Sequence, residues 1–264
     1  MNALTMQSPW LAVGFAVFMW WFATGLVLLL DSLPRKTFRW SLLISTLLTI
    51  AALAALHRTS QQTSLAGAYC AFTSALLIWG WHELTFLTGV ITGPRRHALP
   101  PHVTGWPRFT ASVQAILWHE LAILAMGVLI VAMTWDAPNQ VGTTTFIVLW
   151  VMRISAKLNL FFGVRNLSEE FLPKHLAYMA SFFRRRRMNA LLPFSVIGGS
   201  VAAGFLISAA SVPGAVPAAA VGSTLVATLL VLAIVEHLLL VLPLPATALW
   251  KWAMRPSAAQ AVSP

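Results

Sequence analysis

Long apolar runs alternate with short polar connectors along nearly the whole chain. Seven runs are predicted as helices: Pro9 to Leu30, Trp40 to Leu56, Ser64 to Ile91, Ala111 to Trp135, Thr143 to Val164, Ala190 to Ala210 and Ala218 to Val241. Each approaches or exceeds the ~18 apolar residues that a membrane-spanning helix requires. Strands of a membrane barrel would instead alternate polar and apolar side chains in runs of about ten. The pattern therefore predicts an all-α, polytopic membrane protein built as a bundle of about seven transmembrane helices. No connector is long enough to fold alone, so residues 1–264 are expected to form a single integral membrane domain.

Charge sharpens this picture. Only 9% of the residues are charged, yet the formal net charge is +10. Such a balance can signal a nucleic-acid partner, but here the basic residues fall in alternate connectors. Arg35, Lys36 and Arg39 follow span one, and Arg95, Arg96 and Arg108 lie between spans three and four. Arg165, Lys174 and Arg184 to Arg187 lie between five and six, and Lys251 and Arg255 follow span seven. The opposite set of connectors holds only Arg58. This is the positive-inside pattern. It predicts an N-terminus outside, a C-terminus in the cytoplasm, and the lipid bilayer, with no nucleic acid, as partner. The first apolar run has no basic residue before it, so it is expected to remain as an anchor rather than be cleaved. A lone cysteine, Cys70, excludes an internal disulfide.

Other features have structural readings. Span six is rich in small residues, and Ser200 and Gly204 have the small-xxx-small spacing of close helix packing. Trp10, Trp40, Trp106, Trp135, Trp250 and Trp252 fall near span ends, as interfacial tryptophans do. Trp20 and Trp21 are read as packing residues within span one. Between Arg165 and Asn189, Phe171, Leu172, Leu176, Met179, Phe182 and Phe183 recur at roughly helical spacing, with Pro173 as an interruption. This predicts an amphipathic helix on the cytoplasmic face over 165–189, followed by Arg184, Arg185, Arg186 and Arg187 as a surface for anionic lipid or a partner.

The candidate chemistry lies inside the spans. Three times a histidine adjoins a glutamate: His82-Glu83, His119-Glu120 and Glu236-His237. The whole chain has seven acidic residues and seven histidines, so a large share of both sits where ionisable groups are most costly. Counted from the predicted span ends at 1.5 Å per residue, these pairs and Lys157 lie roughly 8–14 Å from the basic side, in one layer. Arg153 and Lys157, four apart on span five, are placed to neutralise two of the carboxylates.

Four readings of this layer stand. The first is a buried charge network that satisfies itself. The second is a metal site for iron, zinc or manganese, using His82, Glu83, His119, Glu120, Glu236 and His237, with Glu169, Glu170 and His175 at its lower edge. Adjacent residues on a helix diverge by about 100°, so each pair would supply one ligand and one supporting partner. The third is axial ligation of a tetrapyrrole by one histidine, with tryptophans packing on the ring. The fourth is a proton or substrate path. An enzyme and a non-enzymatic protein are both compatible with these residues.

Several long strings resemble one family. They are WWFATGLVLLLDSLPRKTFRWS from Trp20, WGWHELTFLTGVITGPRR from Trp79, WHELA from Trp118, APNQVGTTTFIVLWVMRISAKLNLFFGVRNLSEEFLPKHLAYMASFFRRRRMN from Ala137 and EHLLLVLPLPATALWKW from Glu236. Over nearly its whole length the chain resembles the PuhE family of photosynthetic complex assembly proteins of purple phototrophic bacteria. The resemblance implies an inner-membrane protein that helps build the reaction centre and core antenna, in contact with their subunits, or adjusts bacteriochlorophyll supply. It carries over no set of catalytic residues. The alternative is a membrane metalloenzyme acting on a tetrapyrrole or lipid. In the family, position 118 is often histidine; here it is Trp118.

Overall fold

The computed structural model describes residues 6–242, 244 and 246–254. Arg255, counted above with the basic residues after span seven, lies outside them. Among the described residues the long elements are seven α-helices: α1 (Pro9–Ser32), α2 (Phe38–Ser60), α3 (Leu65–Leu87), α4 (Gly105–Met133), α5 (Val141–Phe162), α6 (Leu191–Ala210) and α7 (Pro217–Leu239). They form an all-α bundle. Six of them are long and apolar enough to cross a membrane.

The seventh, α3, carries Trp79, Trp81, His82 and Glu83, which lower its hydropathy. It is also the most enclosed helix, with fourteen of its 23 residues buried. It touches α1, α2, α4, α5 and α7. A helix shielded from lipid by its neighbours has no need of an apolar outer face, and this one can hold polar groups at the bundle centre. Ser64 caps its start by accepting the Gly67 N–H at 3.1 Å. Its end comes at Leu87 rather than Ile91. Gly89 adopts φ +77°, and its N–H donates to Phe86 O at 2.9 Å while the Val90 N–H donates to Thr85 O at 3.0 Å. This left-handed closure satisfies the last carbonyls and turns the chain back.

Helix α4 begins at Gly105, earlier than the predicted Ala111. Arg108 is therefore a buried helical residue, 7% exposed, and not part of a free connector. Its Nη2 donates to Phe161 O at 2.9 Å and Phe182 O at 2.6 Å, and its guanidinium lies 3.9 Å from the Phe161 ring centre. It thereby ties the start of α4 to the end of α5.

The basic connectors pack together at one end of the bundle. Residues Glu169–Phe171 and Lys174–Phe182 form 3-10 turns. Leu176, Met179 and Phe182 are buried; their spacing of three is the spacing that a 3-10 helix aligns on one side. Leu176 and Met179 pack with Leu28, Phe86, Leu87 and Trp250. Trp250 is thus a core residue, 5% exposed, and not an interfacial one. Its Nε1–H donates to Trp21 O at 3.0 Å, and its ring meets Trp20 edge-on. Trp10, Trp40, Trp106, Trp135 and Trp252 are exposed.

The packing seam of α6 also differs from the expected one. Gly199 and Ala203 are buried against α7, and a Cβ on Gly199 would lie 3.0 Å from Ile234 Cγ1. Ser200 is exposed, and a Cβ on Gly204 would meet nothing within 4 Å. The small-xxx-small pair in contact is shifted by one residue, which rotates the helix by about 100°.

Candidate functional site: a polar layer across the bundle

His82 of α3 and His119 of α4 meet at the centre. They are 1% and 0% exposed, and their ring centres lie 6.5 Å apart. The Phe86 ring lies 4.5 Å from His119, and Phe146 and Trp81 lie 6.2 Å and 4.9 Å from His82. None of the four ring nitrogens has a hydrogen-bond partner. A buried polar atom left without a partner costs about 1–3 kcal/mol. Two adjacent buried imidazoles therefore keep their hydrogen-bonding capacity unused within the chain.

His119 is held by the connector that follows α3. Its backbone N–H donates to Thr92 O at 2.9 Å, across from the carbonyl of Ala115 that a regular helix would use. Gly93 makes this approach possible: a Cβ there would lie 2.0 Å from Gln114 O and 2.6 Å from Ala115 C. The Arg95 N–H then reaches Gln114 O at 3.4 Å. The loop thus docks on the α4 backbone one turn before His119.

The two adjoining glutamates turn away from the histidines toward α5. Arg153 Nη2 donates to Glu83 Oε2 at 2.7 Å, and Lys157 Nζ donates to Glu120 Oε1 at 2.5 Å. The Arg153 side chain is still 42% exposed, while Glu83, Lys157 and Glu120 are more enclosed. Lys157 Nζ also lies 5.6 Å from the Phe86 ring centre, so the second ion pair borders the histidines. Both pairs arise from one face of α5, because residues four apart align on a helix.

The third pair is separate. Glu236 of α7 accepts Trp20 Nε1–H at 2.9 Å, so Trp20 has a polar role beyond packing. His237 is buried but satisfied. Its Nδ1 lies 2.8 Å from Ala233 O and its Nε2 2.9 Å from Ser155 Oγ. A carbonyl can only accept, so Nδ1 carries the hydrogen, and Nε2 faces the serine hydroxyl. Beyond it runs a neutral network that the sequence reading had not assembled. Ser155 Oγ lies 2.8 Å from Ser195 Oγ, and Asn159 Nδ2 donates to Ser195 Oγ at 3.1 Å. Asn189 Nδ2 donates to Asn159 Oδ1 at 3.0 Å, while its own Oδ1 accepts the Leu191 and Leu192 N–H groups that open α6. The available signal was the four-residue spacing of Ser155 and Asn159, parallel to that of Arg153 and Lys157.

The remaining predicted site residues lie apart from this layer. Glu169 and Glu170 are exposed, and Glu169 faces Arg185 at 3.7 Å. His175 Nε2 donates to Leu87 O at 2.7 Å at the basic end. Arg185, Arg186 and Arg187 are exposed, and Arg184 is partly buried. Here Gly163, at φ +119°, lets 164 and 185 pair as an isolated bridge. Trp118 is half exposed. Among the described residues no group of three or more His, Cys, Asp or Glu side chains is arranged to hold a metal ion. The layer joins two unpartnered histidines, two ion pairs and a separate, satisfied histidine.

Comparison with known proteins places the chain in context. The profile of a family described as a protein of unknown function (DUF3623) matches residues 6–261. A protein of Rhodobacter capsulatus, described as an uncharacterized 30.4 kDa protein in the puhA 5' region, is 39% identical over 256 residues, covering 96% of this chain and 93% of that protein. No solved structure matches.

Proposed function

The chain belongs to the DUF3623 family, and on that footing we propose that it serves the building of photosynthetic complexes. In this reading it is a PuhE-type assembly factor, working through contact with reaction-centre or core-antenna subunits or through the handling of bacteriochlorophyll. Support comes from the relative whose gene lies in the puhA 5' region and from the long strings that resemble the PuhE family. The basic end of the bundle faces the cytoplasm of a bacterial inner membrane, in keeping with the connector charges.

The functional centre is the His82–His119 pair. The observation that carries this is the absence of a partner at all four ring nitrogens. The flanking Glu83 and Glu120 are each engaged by a cation. A bare divalent metal recruits several donors at once, whereas one oxygen of each carboxylate is already held by Arg153 or Lys157 and the described residues show no cluster of three or more ligands. A neutral imidazole pair instead suits a hydrogen-bonding group or one axial contact to a metal already held by a macrocycle. This favours pigment or partner handling over the metalloenzyme reading.

The test is replacement of His82 and His119 by glutamine, singly and together, in a purple phototrophic host. The expected result is reduced reaction-centre and core-antenna absorbance with the protein itself present at normal level. Normal complex assembly in the double variant would overturn the reading.

A further inference from the structure

The basic end carries a second site, distinct from the polar layer. A cleft of about 310 Å³ opens between three connectors. Arg35 comes from the link between α1 and α2, Thr92 and Arg96 from the link between α3 and α4, and His175 and Tyr178 from the 3-10 turn before α6. No carboxylate lines it. Among the described residues, neither Arg35 nor Arg96 has an ion-pair partner, unlike Arg153 and Arg185. Three hydroxyls line the cleft: Thr88 Oγ1 donates to Leu84 O at 2.7 Å, while Thr92 Oγ1, on a residue 1% exposed, and the Tyr178 hydroxyl face one another, buried and with no hydrogen bond of normal geometry. His175 forms a fixed wall, because its Nε2–H is committed to Leu87 O and its ring sits 3.0 Å from where a Cβ on Gly89 would lie.

We propose that this cleft binds a phosphate group. Two guanidinium groups and two unpartnered hydroxyls supply donors, and no acidic side chain opposes an anion. Arginine's planar fork suits the oxygens of phosphate, and a charge-assisted bond to each satisfies groups that are otherwise idle. The position at the ends of α1 and α3 is also where a lipid phosphate would lie if the bundle spans a bilayer. The same chemistry serves a free phosphate ester, so the source is a matter for experiment.

The test uses the full chain purified in a non-ionic detergent. Thermal stability is followed while inorganic phosphate or short-chain phosphatidic acid is added, with sodium chloride at matched ionic strength as control. The expected result is a saturable upward shift in the melting temperature. Arg35→Gln and Arg96→Gln should each weaken the apparent affinity about tenfold, the effect of one charge-assisted hydrogen bond. These side chains belong to exposed residues, so the fold should survive their replacement. Tyr178→Phe, which removes only the hydroxyl, provides a second readout. Arg186→Gln, at an exposed arginine away from the cleft, should leave the affinity unchanged. A shift with both ligands assigns the site to phosphate in general, and a shift with phosphatidic acid alone assigns it to a lipid headgroup. No saturable shift with either, or one that persists at wild-type affinity in the Arg35→Gln/Arg96→Gln double variant, overturns the proposal.

Discussion

The backbone N–H of His119 donates to the carbonyl of Thr92 at 2.9 Å, joining the centre of α4 to the loop that leaves α3. That bond depends on Gly93, where a Cβ would lie 2.0 Å from the Gln114 carbonyl oxygen. The obstacle is backbone, which cannot swing aside as a flexible side chain would. Gly93→Ala should therefore detach the loop or bend α4, at a cost of about 3 kcal/mol or more. Thermal unfolding in detergent would register this as a large fall in midpoint. Gly198→Ala is the control, because a Cβ there meets nothing within 4 Å. Equal stability of both variants would contradict the close approach.

The ion pairs make a different prediction. Lys157 and Glu120 are 2.5 Å apart, with side chains 20% and 25% exposed. Neutralising either partner alone leaves the other uncompensated at bundle depth. Each of Glu120→Gln and Lys157→Met should cost about 2 kcal/mol, less than a fully buried pair would because some exposure remains. The double variant should cost less than the sum of the two. Strictly additive losses in a double-mutant cycle would show that the pair is not coupled.

The three histidines should separate by phenotype. His237 has both ring nitrogens engaged, by Ala233 O and Ser155 Oγ. His237→Gln should lower stability by about 1 kcal/mol, the worth of an ordinary hydrogen bond, and leave complex assembly intact. His82→Gln and His119→Gln remove no hydrogen bond within the chain, so stability should hold or rise while assembly falls. Comparing melting temperature with reaction-centre yield across the three variants checks both halves. A loss of stability without loss of assembly at His82 and His119 would make them structural.

His175 lies in the 3-10 turn Lys174–Phe182, outside the seven long helices, and predicts a pH effect. Burial, aided by the positive charge of Arg35, pushes its pKa below the usual 6.5, against the opposing effect of its bond to Leu87 O. The folded protein therefore takes up this proton less readily than the unfolded chain. The stability that neutral His175 contributes is complete above the ordinary pKa. It falls as pH drops through that value toward the folded one, and levels off below it. Melting temperature measured between about pH 5 and 8 should decline on the acid side, and His175→Gln should flatten that decline. Unchanged slopes in the variant would place the acid sensitivity on other groups.

Much of this was legible in the chain itself. The number and order of the helices follow from the length of the apolar runs, because a lipid environment forces backbone groups to bond within each segment. The presence of costly ionisable residues within them follows as well. Adjacent letters such as His82-Glu83 also imply that one side chain faces inward and the other sideways, since neighbours on a helix diverge by about 100°.

Tertiary packing decided what those letters do. Rotation of each helix about its axis is set by its neighbours, so Gly199 and Ala203 rather than Ser200 and Gly204 form the seam with α7. The same freedom made Arg108 and Trp250 core residues, though their positions near span ends suggested exposure. It left His82 and His119 without partners while giving His237 two. The cleft between Arg35, Arg96 and His175 joins residues far apart in the chain, on three separate connectors. Periodicity along one helix carries no information about which connector will meet another across the end of a bundle. That is settled only when the helices close on one another and the loops between them must share the remaining space.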